Sequence, residues 1–271
     1  MAPEGVVSVS ARGVVGEDQV RFYRENGFVQ LDDLVDAATL EDLRREIDEI
    51  YRSDRGGIHT AANNSAYAKV LDQRVNLWRD SAVMRAFVFD PGLAEIARRL
   101  CGAAAVRLWH DQALLKQPGD SRPTPWHQDL PYWPMNEPGA LSLWLALDDV
   151  DERNGAMSFV PGSQRVGALP GINLVDPQDI FAMVPRGELA GTRPVTARMR
   201  AGSGTFHSGL TFHYATANRT DRPRRAMVII YMPDGTTFNG RGHICTNGLG
   251  LEPGRPIAGE TFPLLAPVPG A

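Results

Sequence analysis

Six histidines occur in the 271-residue chain: His59, His110, His127, His207, His213 and His243. One belongs to the run Trp126-His127-Gln128-Asp129-Leu130. On an extended strand, side chains at i and i+2 point to the same face, so His127 and Asp129 can reach one ion. Taken alone, the pair also fits a hydrogen-bonded surface couple. A second cluster, Phe206-His207-Ser208-Gly209-Leu210-Thr211-Phe212-His213, places two imidazoles on either side of a glycine turn. Two imidazoles and one carboxylate form the facial ligand set of non-haem Fe(II) oxygenases, which leaves coordination positions open for substrates. Catalytic zinc sites use similar ligands, so the donor set by itself does not choose the metal. A third segment, Asn218-Arg219-Thr220-Asp221-Arg222-Pro223-Arg224-Arg225, runs into the apolar stretch Ala226–Met232. An arginine at the mouth of that strand can hold a carboxylate through two parallel charge-assisted hydrogen bonds. The other arginines read as a solvated turn.

Positioning these groups requires a scaffold, and the chain changes texture along its length. Glu17–Asn26 reads as a short helix stopped by Gly27, and Phe28–Leu31 as a strand. Asp36 is placed to cap a helix in which Leu40, Leu43, Ile47 and Ile50 recur at helical spacing. Ser53–Ala68, rich in Gly, Asn and Ser, predicts a loop. Helical stretches follow at Ala82–Phe89 and Leu93–Leu100. Beyond Cys101 the pattern becomes short apolar runs broken by Gly and Pro: Val106–Trp109, Ala113–Lys116, Leu141–Leu147, Met157–Val160, Gly204–Phe206 and Ala226–Met232. Such runs predict a sandwich or barrel rather than βαβ units. Gly167–Pro194 has no period, as expected of a lid or binding loop. The expected organisation is one α+β domain over residues 1–271, with a tail (1–15), a mainly helical portion (16–101) and a mainly β core (102–271).

Composition narrows the function. With 43% hydrophobic and 22% charged residues and a net charge of −4, the chain is neither disordered nor basic enough to suggest a nucleic-acid partner. No apolar run reaches the ~18–20 residues of a membrane span. Two cysteines are too few for a disulfide framework, and Met1–Gly5 lacks the features of a secretory signal. A cytoplasmic protein acting on a small molecule is the expectation, with the oligomeric state left open.

At the level of whole motifs, a resemblance becomes specific. Leu108–Lys116, Thr124–Asp129, Trp144–Val150, Asn154-Gly155-Ala156, Pro161-Gly162-Ser163 and His213–Arg225 together resemble the phytanoyl-CoA dioxygenase family, in its order and spacing, from about Asp18 onward. The resemblance implies a double-stranded β-helix (jelly-roll, cupin-like) core with the N-terminal helices packed on one sheet. It implies Fe(II), with 2-oxoglutarate and O2 as co-substrates and release of succinate and CO2. His127 and Asp129 become the proximal metal ligands and His213 the distal one, with His207 its rival. Arg224 becomes the partner of the distal 2-oxoglutarate carboxylate, ahead of Arg225. Lys116, Gln112 and Gln128 fall at further co-substrate positions.

One departure stands out: a serine that often assists the co-substrate arginine in the family is replaced by Ala215. Hydroxylation of a small, largely apolar metabolite or natural-product intermediate is the implied reaction. Desaturation, cyclisation or epimerisation at the same iron remains the alternative, whereas Asp129 argues against halogenation, because halogenating relatives lack that carboxylate. Trp109, Tyr132, Trp133 and Trp144 are the expected walls of the substrate pocket, and Ser53–Ala68 and Gly167–Pro194 its expected lids. His59, His110 and His243 read as loop, sheet and surface histidines. A non-redox cupin-like metalloenzyme and a non-catalytic binding module are the competing classes.

Overall fold

The computed structural model describes residues 15–60 and 64–266; the expected tail, up to residue 14, and residues 61–63 of the expected first lid lie outside them. The first helix, α1 (Glu17–Asn26), ends at Gly27, whose φ of +81° suits a residue without a side chain. A Cβ there would collide with the side chains of Gln164 and Thr211, so this stop is set by tertiary packing as well as by helix chemistry. Strand β1 (Phe28–Leu31) follows directly. In α2 (Ala37–Ser53) the Asp36 carboxylate accepts the Thr39 N–H at 2.8 Å, the cap read from the sequence. The expected loop over Ser53–Ala68 instead contains β2 (Ile58–His59) and the start of α3 (Ser65–Val70). Asn64 caps that helix through Tyr67 N–H, a local signal that the polar composition masked. β3 (Asp72–Val75), α4 (Ala82–Val88) and α5 (Pro91–Cys101) complete the helical portion.

The β portion comprises β4 (Val106–Lys116), β5 (Thr124–His127), β6 (Leu141–Ala146), β7 (Met157–Phe159), β8 (Val195–Ala197), β9 (Gly204–Ser208), β10 (His213–Ala215), β11 (Arg224–Pro233) and β12 (Leu264–Ala266). Where the sequence predicts two strands, Val106–Trp109 and Ala113–Lys116, there is one. The polar residues between them, His110, Asp111 and Gln112, interrupt the apolar pattern but not the ladder to β11.

Among the described residues the strands form two antiparallel sheets, ordered β1-β9-β6-β11-β4-β3-β2 (with β12 on β4) and β5-β10-β7-β8. This is the double-stranded β-helix arrangement. The helices cover the outer face of the larger sheet. Leu141, Leu143 and Leu145 of β6 and Met227, Ile229 and Tyr231 of β11 pack there against Leu43, Ile47, Met84 and Ile96. The alternate residues, Trp144, Val228 and Ile230, face the smaller sheet and its Met157 and Phe159. Burial on both faces explains why these strands read as unbroken apolar runs rather than as alternating ones. Gly167–Pro194 has little regular structure, but Ile172 and Ile180 anchor it against Val160 and Phe212.

Asp111 is fully buried, and one of its carboxylate oxygens has no hydrogen-bond partner. Burial raises its pKa to about 7. In the unfolded chain the group titrates near 3.9, so the folded state holds the extra proton between those values. That stabilisation is complete below about pH 4 and lost as the pH rises through about 7. Asp111→Asn should therefore flatten the decline in urea midpoint between about pH 4 and about pH 7; an unchanged decline would place its origin elsewhere.

Candidate active site

The two sheets meet at three donor groups. Strands β5 and β10 pair with His127 opposite His213, their ring centroids 4.1 Å apart. Asp129 lies beyond the end of β5, where helical backbone angles open a 3-10 turn over Leu130–Tyr132. Its reach toward the histidines thus comes from a turn rather than from strand pleating. Asp129 Oδ1 stands 3.6 Å from His127 Nε2 and 3.5 Å from His213 Nε2. Donor atoms of all three residues fall within 4.8 Å of one another, the arrangement a metal ion requires. His207, the rival for the third place, lies on β9 of the opposite sheet, and its Nε2 is 3.5 Å from the other carboxylate oxygen, Oδ2. Ser142 Oγ also donates to Oδ2, at 3.1 Å.

The donor set fits a divalent metal in its protonation states as well as its shape. His127 Nδ1 faces the Pro125 carbonyl at 2.7 Å, and His213 Nδ1 faces that of Thr211 at 3.0 Å. A carbonyl can only accept, so each Nδ1 carries the proton and each Nε2 presents a lone pair. Burial, then the neighbouring His127, pushes His213 well below the ordinary imidazole range and keeps it neutral. Burial alone would raise Asp129, but the three surrounding imidazoles outweigh it and hold the carboxyl well below its ordinary range.

Next to these ligands a narrow pocket runs between the sheets, lined by Gln112, Ser142, Trp144, Ala215 and Arg224 among others. Arg224 is buried, and its Nε and Nη1 have no hydrogen-bond partner. Its guanidinium lies 5.3 Å from the Trp144 ring centroid. Burial lowers its pKa only to about 10, so it is a cation at neutral pH. An unsatisfied buried guanidinium beside a metal-type cluster suits a dicarboxylate that bridges the two. Arg225, one residue along β11, points the opposite way and bonds Asp148 at 2.6 Å and Asp48 at 2.8 Å. Strand alternation thus separates the two arginines. Gly155 keeps the space beside Arg224 open, since a Cβ there would meet Arg224 Nε at 3.3 Å and Lys116 Cδ at 3.0 Å.

Other expected co-substrate residues are engaged elsewhere. Lys116 Nζ donates to the carbonyls of Val70 and Arg122 at 3.2 and 2.7 Å, and Lys116 does not line the pocket. Burial, then the neighbouring Arg224, depresses its pKa well below the ordinary lysine range. Gln128 spends its amide on the backbone of Gly167, Leu210 and Leu169; it ties the long segment after Gly167 to the core. Both turn away because backbone carbonyls and N–H groups lie closer to them than the pocket does.

A larger cavity of about 690 Å³ opens from the same ligands, sharing His127, Asp129, Gln112 and Leu71 with the narrow pocket. Tyr132 and Trp133 line it as expected. Ile172–Val175 from one expected lid contribute a wall, and Asn64 and Tyr67 from the other. Trp144 belongs to the narrow pocket instead. Trp109 is fully buried and stacks on Phe262 at 5.1 Å, outside the cavity lining. It sits in a register shift of β4 against β11, between His110 opposite Ile230 and Leu108 opposite Tyr231, and such an extra residue redirects a side chain.

His110 and His243, read from sequence as sheet and surface residues, both line the larger cavity. His59, read from sequence as a loop histidine, lies instead on β2, paired with Arg74 of β3, and is held 2.9 Å from Asp72. Sequence reasoning also missed Ser142 and Tyr67. Ser142 shares a strand face with Trp144, so the period-2 rule held a usable signal; Tyr67 had none.

Comparison with known proteins follows the same line. The family model described as Phytanoyl-CoA dioxygenase (PhyH) matches residues 23–226. The chain belongs to this family. Among curated relatives, the L-proline trans-4-hydroxylase of Streptomyces griseoviridis is 27% identical over 235 residues, covering 77% of this chain and 82% of its own. Two solved structures are similar over almost their whole length. One is the non-heme alpha ketoglutarate dependent carbocyclase SnoK from nogalamycin biosynthesis, with a TM-score of 0.80, 29% identity, and 95% of this chain and 100% of that one covered. The other is the epimerase SnoN in complex with Fe3+, alpha ketoglutarate and nogalamycin RO, with a TM-score of 0.77, 31% identity, and 92% and 98% covered. The chain is thus a 2-oxoglutarate-dependent oxygenase of the non-haem iron class, with O2 as second co-substrate. Among the described residues no helix is long and apolar enough to cross a membrane.

Three substitutions test the division of labour between these residues. Ser142→Ala should weaken metal affinity about 10-fold by freeing the Asp129 carboxylate, read by anaerobic Fe(II) titration. Arg224→Ala should raise the 2-oxoglutarate dissociation constant roughly 100-fold. Arg225→Ala, which breaks only a pairing on the outer face, should lower thermal stability and leave that constant within a factor of about two; equal effects of the two arginines on 2-oxoglutarate would refute the division.

Proposed function

We propose that His127, Asp129 and His213 hold Fe(II), that Arg224 seats the distal carboxylate of 2-oxoglutarate, and that the enzyme oxidises a neutral, largely apolar small molecule in the larger cavity. The observation that carries the reading is the junction of the two pockets at Asp129, His127 and Gln112. The narrow one ends on an unpaired buried cation, and among the described residues the wide one has no Lys, Arg or Glu in its lining and Asp129 as its one acid. An anionic substrate would find no Lys or Arg in that lining, and the one carboxylate belongs to the metal-type cluster, whereas Tyr132, Trp133, Leu71 and Ile230 offer apolar and aromatic surface. A cavity of about 690 Å³ falls within the range that takes ligands of drug-like size.

Bound iron supplies the activation of O2, coupled to oxidative decarboxylation of 2-oxoglutarate to succinate and CO2. The protein supplies order and dryness. The Pro125 and Thr211 carbonyls fix the histidine tautomers, and Ser142 fixes the carboxylate rotamer. Arg224 sets which end of the diacid faces the metal position. The wall Ile172–Val175, anchored at Ile172, shields the reacting region from solvent. Hydroxylation is the simplest outcome. Ring closure or epimerisation of a natural-product intermediate is the second reading, favoured by the likeness to SnoK and SnoN. In place of the family serine, Ala215 leaves Arg224 without a hydroxyl partner from β10.

Succinate formation from 2-oxoglutarate should require Fe(II), cease with a chelator and return when Fe(II) is restored. Asp129→Ala should lower it by about 100-fold or more. Succinate release that survives chelation or this substitution would remove the triad from the reaction.

A further inference from the structure

The larger cavity contains two imidazoles that the metal site does not use. His110, on β4, is 4% exposed; His243 is half-buried on the segment following β11. Their ring centroids lie 6.1 Å apart and the ring planes differ by 20°. The backbone assigns each a different tautomer. His110 Nδ1 faces the Asp111 carbonyl at 3.2 Å; a carbonyl only accepts, so Nδ1 carries the proton and Nε2 is a bare acceptor. His243 Nδ1 accepts the Cys245 N–H at 3.1 Å, so its proton resides on Nε2, which is a donor. Neither Nε2 has a partner among the described residues.

The pair is built to hold these states. Trp109, redirected by the β4 register shift, packs behind His243 with ring centroids 5.1 Å apart and planes tilted by 43°. The His243 N–H donates to Asn247 Oδ1 at 3.1 Å, and its carbonyl receives the Thr246 and Asn247 N–H groups, both at 2.9 Å. Burial lowers the pKa of His110 to about 3 and that of His243 to about 4, so both rings are neutral at physiological pH.

We infer that His110 and His243 form an acceptor–donor pair that binds a hydroxyl group of the substrate. A hydroxyl oxygen that donates to one nitrogen and accepts from another at about 2.8–3.0 Å is bent, and it holds the two nitrogens about 4.5–5 Å apart, a spacing that ring edges reach from centroids 6.1 Å apart. A hydroxyl both donates and accepts, matching one bare nitrogen and one N–H. A carboxylate would face the His110 lone pair, and an ammonium would face the His243 N–H; both are disfavoured. The substrate class narrows to neutral alcohols or phenols with an apolar body. This assignment rests on the larger cavity being the substrate site.

The test uses enzyme with 15N-labelled histidine, loaded with Zn(II) and 2-oxoglutarate, and two probes, 2-naphthol and 2-methoxynaphthalene. Imidazole 15N spectra at neutral pH should show His110 protonated on Nδ1 and His243 on Nε2; a shared tautomer or a charged ring overturns the pair. Titration with 2-naphthol should move both Nε2 resonances, whereas 2-methoxynaphthalene, which cannot donate, should move only that of His243. No movement with 2-naphthol, or identical responses to both probes, overturns the proposal. His243→Phe should weaken 2-naphthol about 10-fold, the worth of one buried hydrogen bond, and His243→Gln, which keeps an N–H, should recover most of it. The iron reading is judged separately: loss of Fe(II)-dependent succinate release with the tautomers and probe shifts intact would sink that reading alone, and retained release with absent shifts would sink the hydroxyl pair alone.

Discussion

A carboxylate enclosed by three imidazoles is the constraint on which this molecule turns. Moving Asp129 out of water carries a large desolvation cost. Ser142 donates to the carboxylate, and a divalent cation shared with the bare Nε2 atoms of His127 and His213, both within 3.6 Å, would supply the rest, with His207 3.5 Å from the second oxygen. Those partners come from both sheets: His127 and His213 from the smaller, His207 and Ser142 from the larger. The cluster therefore exists only if the sheets close on each other in the right register. Conversely, a slip of β9 against β6 would carry His207 away from Ser142, its direct cross-strand partner, and so break up the group around Asp129.

The larger sheet meets that requirement by being buried twice. Its central strands β6 and β11 turn one set of side chains to the helices and the other to the site. Helix packing on the outer face fixes the strand positions, and the inner face is then free to carry polar groups: Arg224, Gln112 and Ser142. Alternation also explains why neighbours in sequence differ so sharply in role. Arg224 is desolvated and unpaired, while Arg225 is locked to Asp48 and Asp148 outside.

Two pockets sharing one edge give the chemistry a direction. The narrow pocket ends on a cation and suits a diacid; the wide one is uncharged apart from the shared acid and partly walled by the segment after Gly167. Gln112 and Asp129 belong to both, so groups bound on either side meet at the same few atoms. Gln128 and Ile172 stitch that segment to the core, giving the wall its position without regular secondary structure.

Much of this was legible from residue order alone. Caps such as Asp36, the stop at Gly27 and the apolar strands β6 and β11 follow from local rules, because hydrogen-bond satisfaction and side-chain period act over a few residues. The His127–Asp129 pair and the two-histidine cluster were marked by residue type and spacing, whereas preferring His213 to His207 and Arg224 to Arg225 took the resemblance to the family's motifs. What spacing could not decide was which side chains face a common space. Lys116 and Gln128 sit at plausible positions yet bond to nearby backbone; Trp109 is turned aside by a register shift; His110 and His243, 133 positions apart in the numbering, become neighbours only when the loop after β11 folds back over β4. Local chemistry sets the elements, but contacts between residues far apart in the chain depend on how whole sheets and loops pack, and that information is distributed over the entire core.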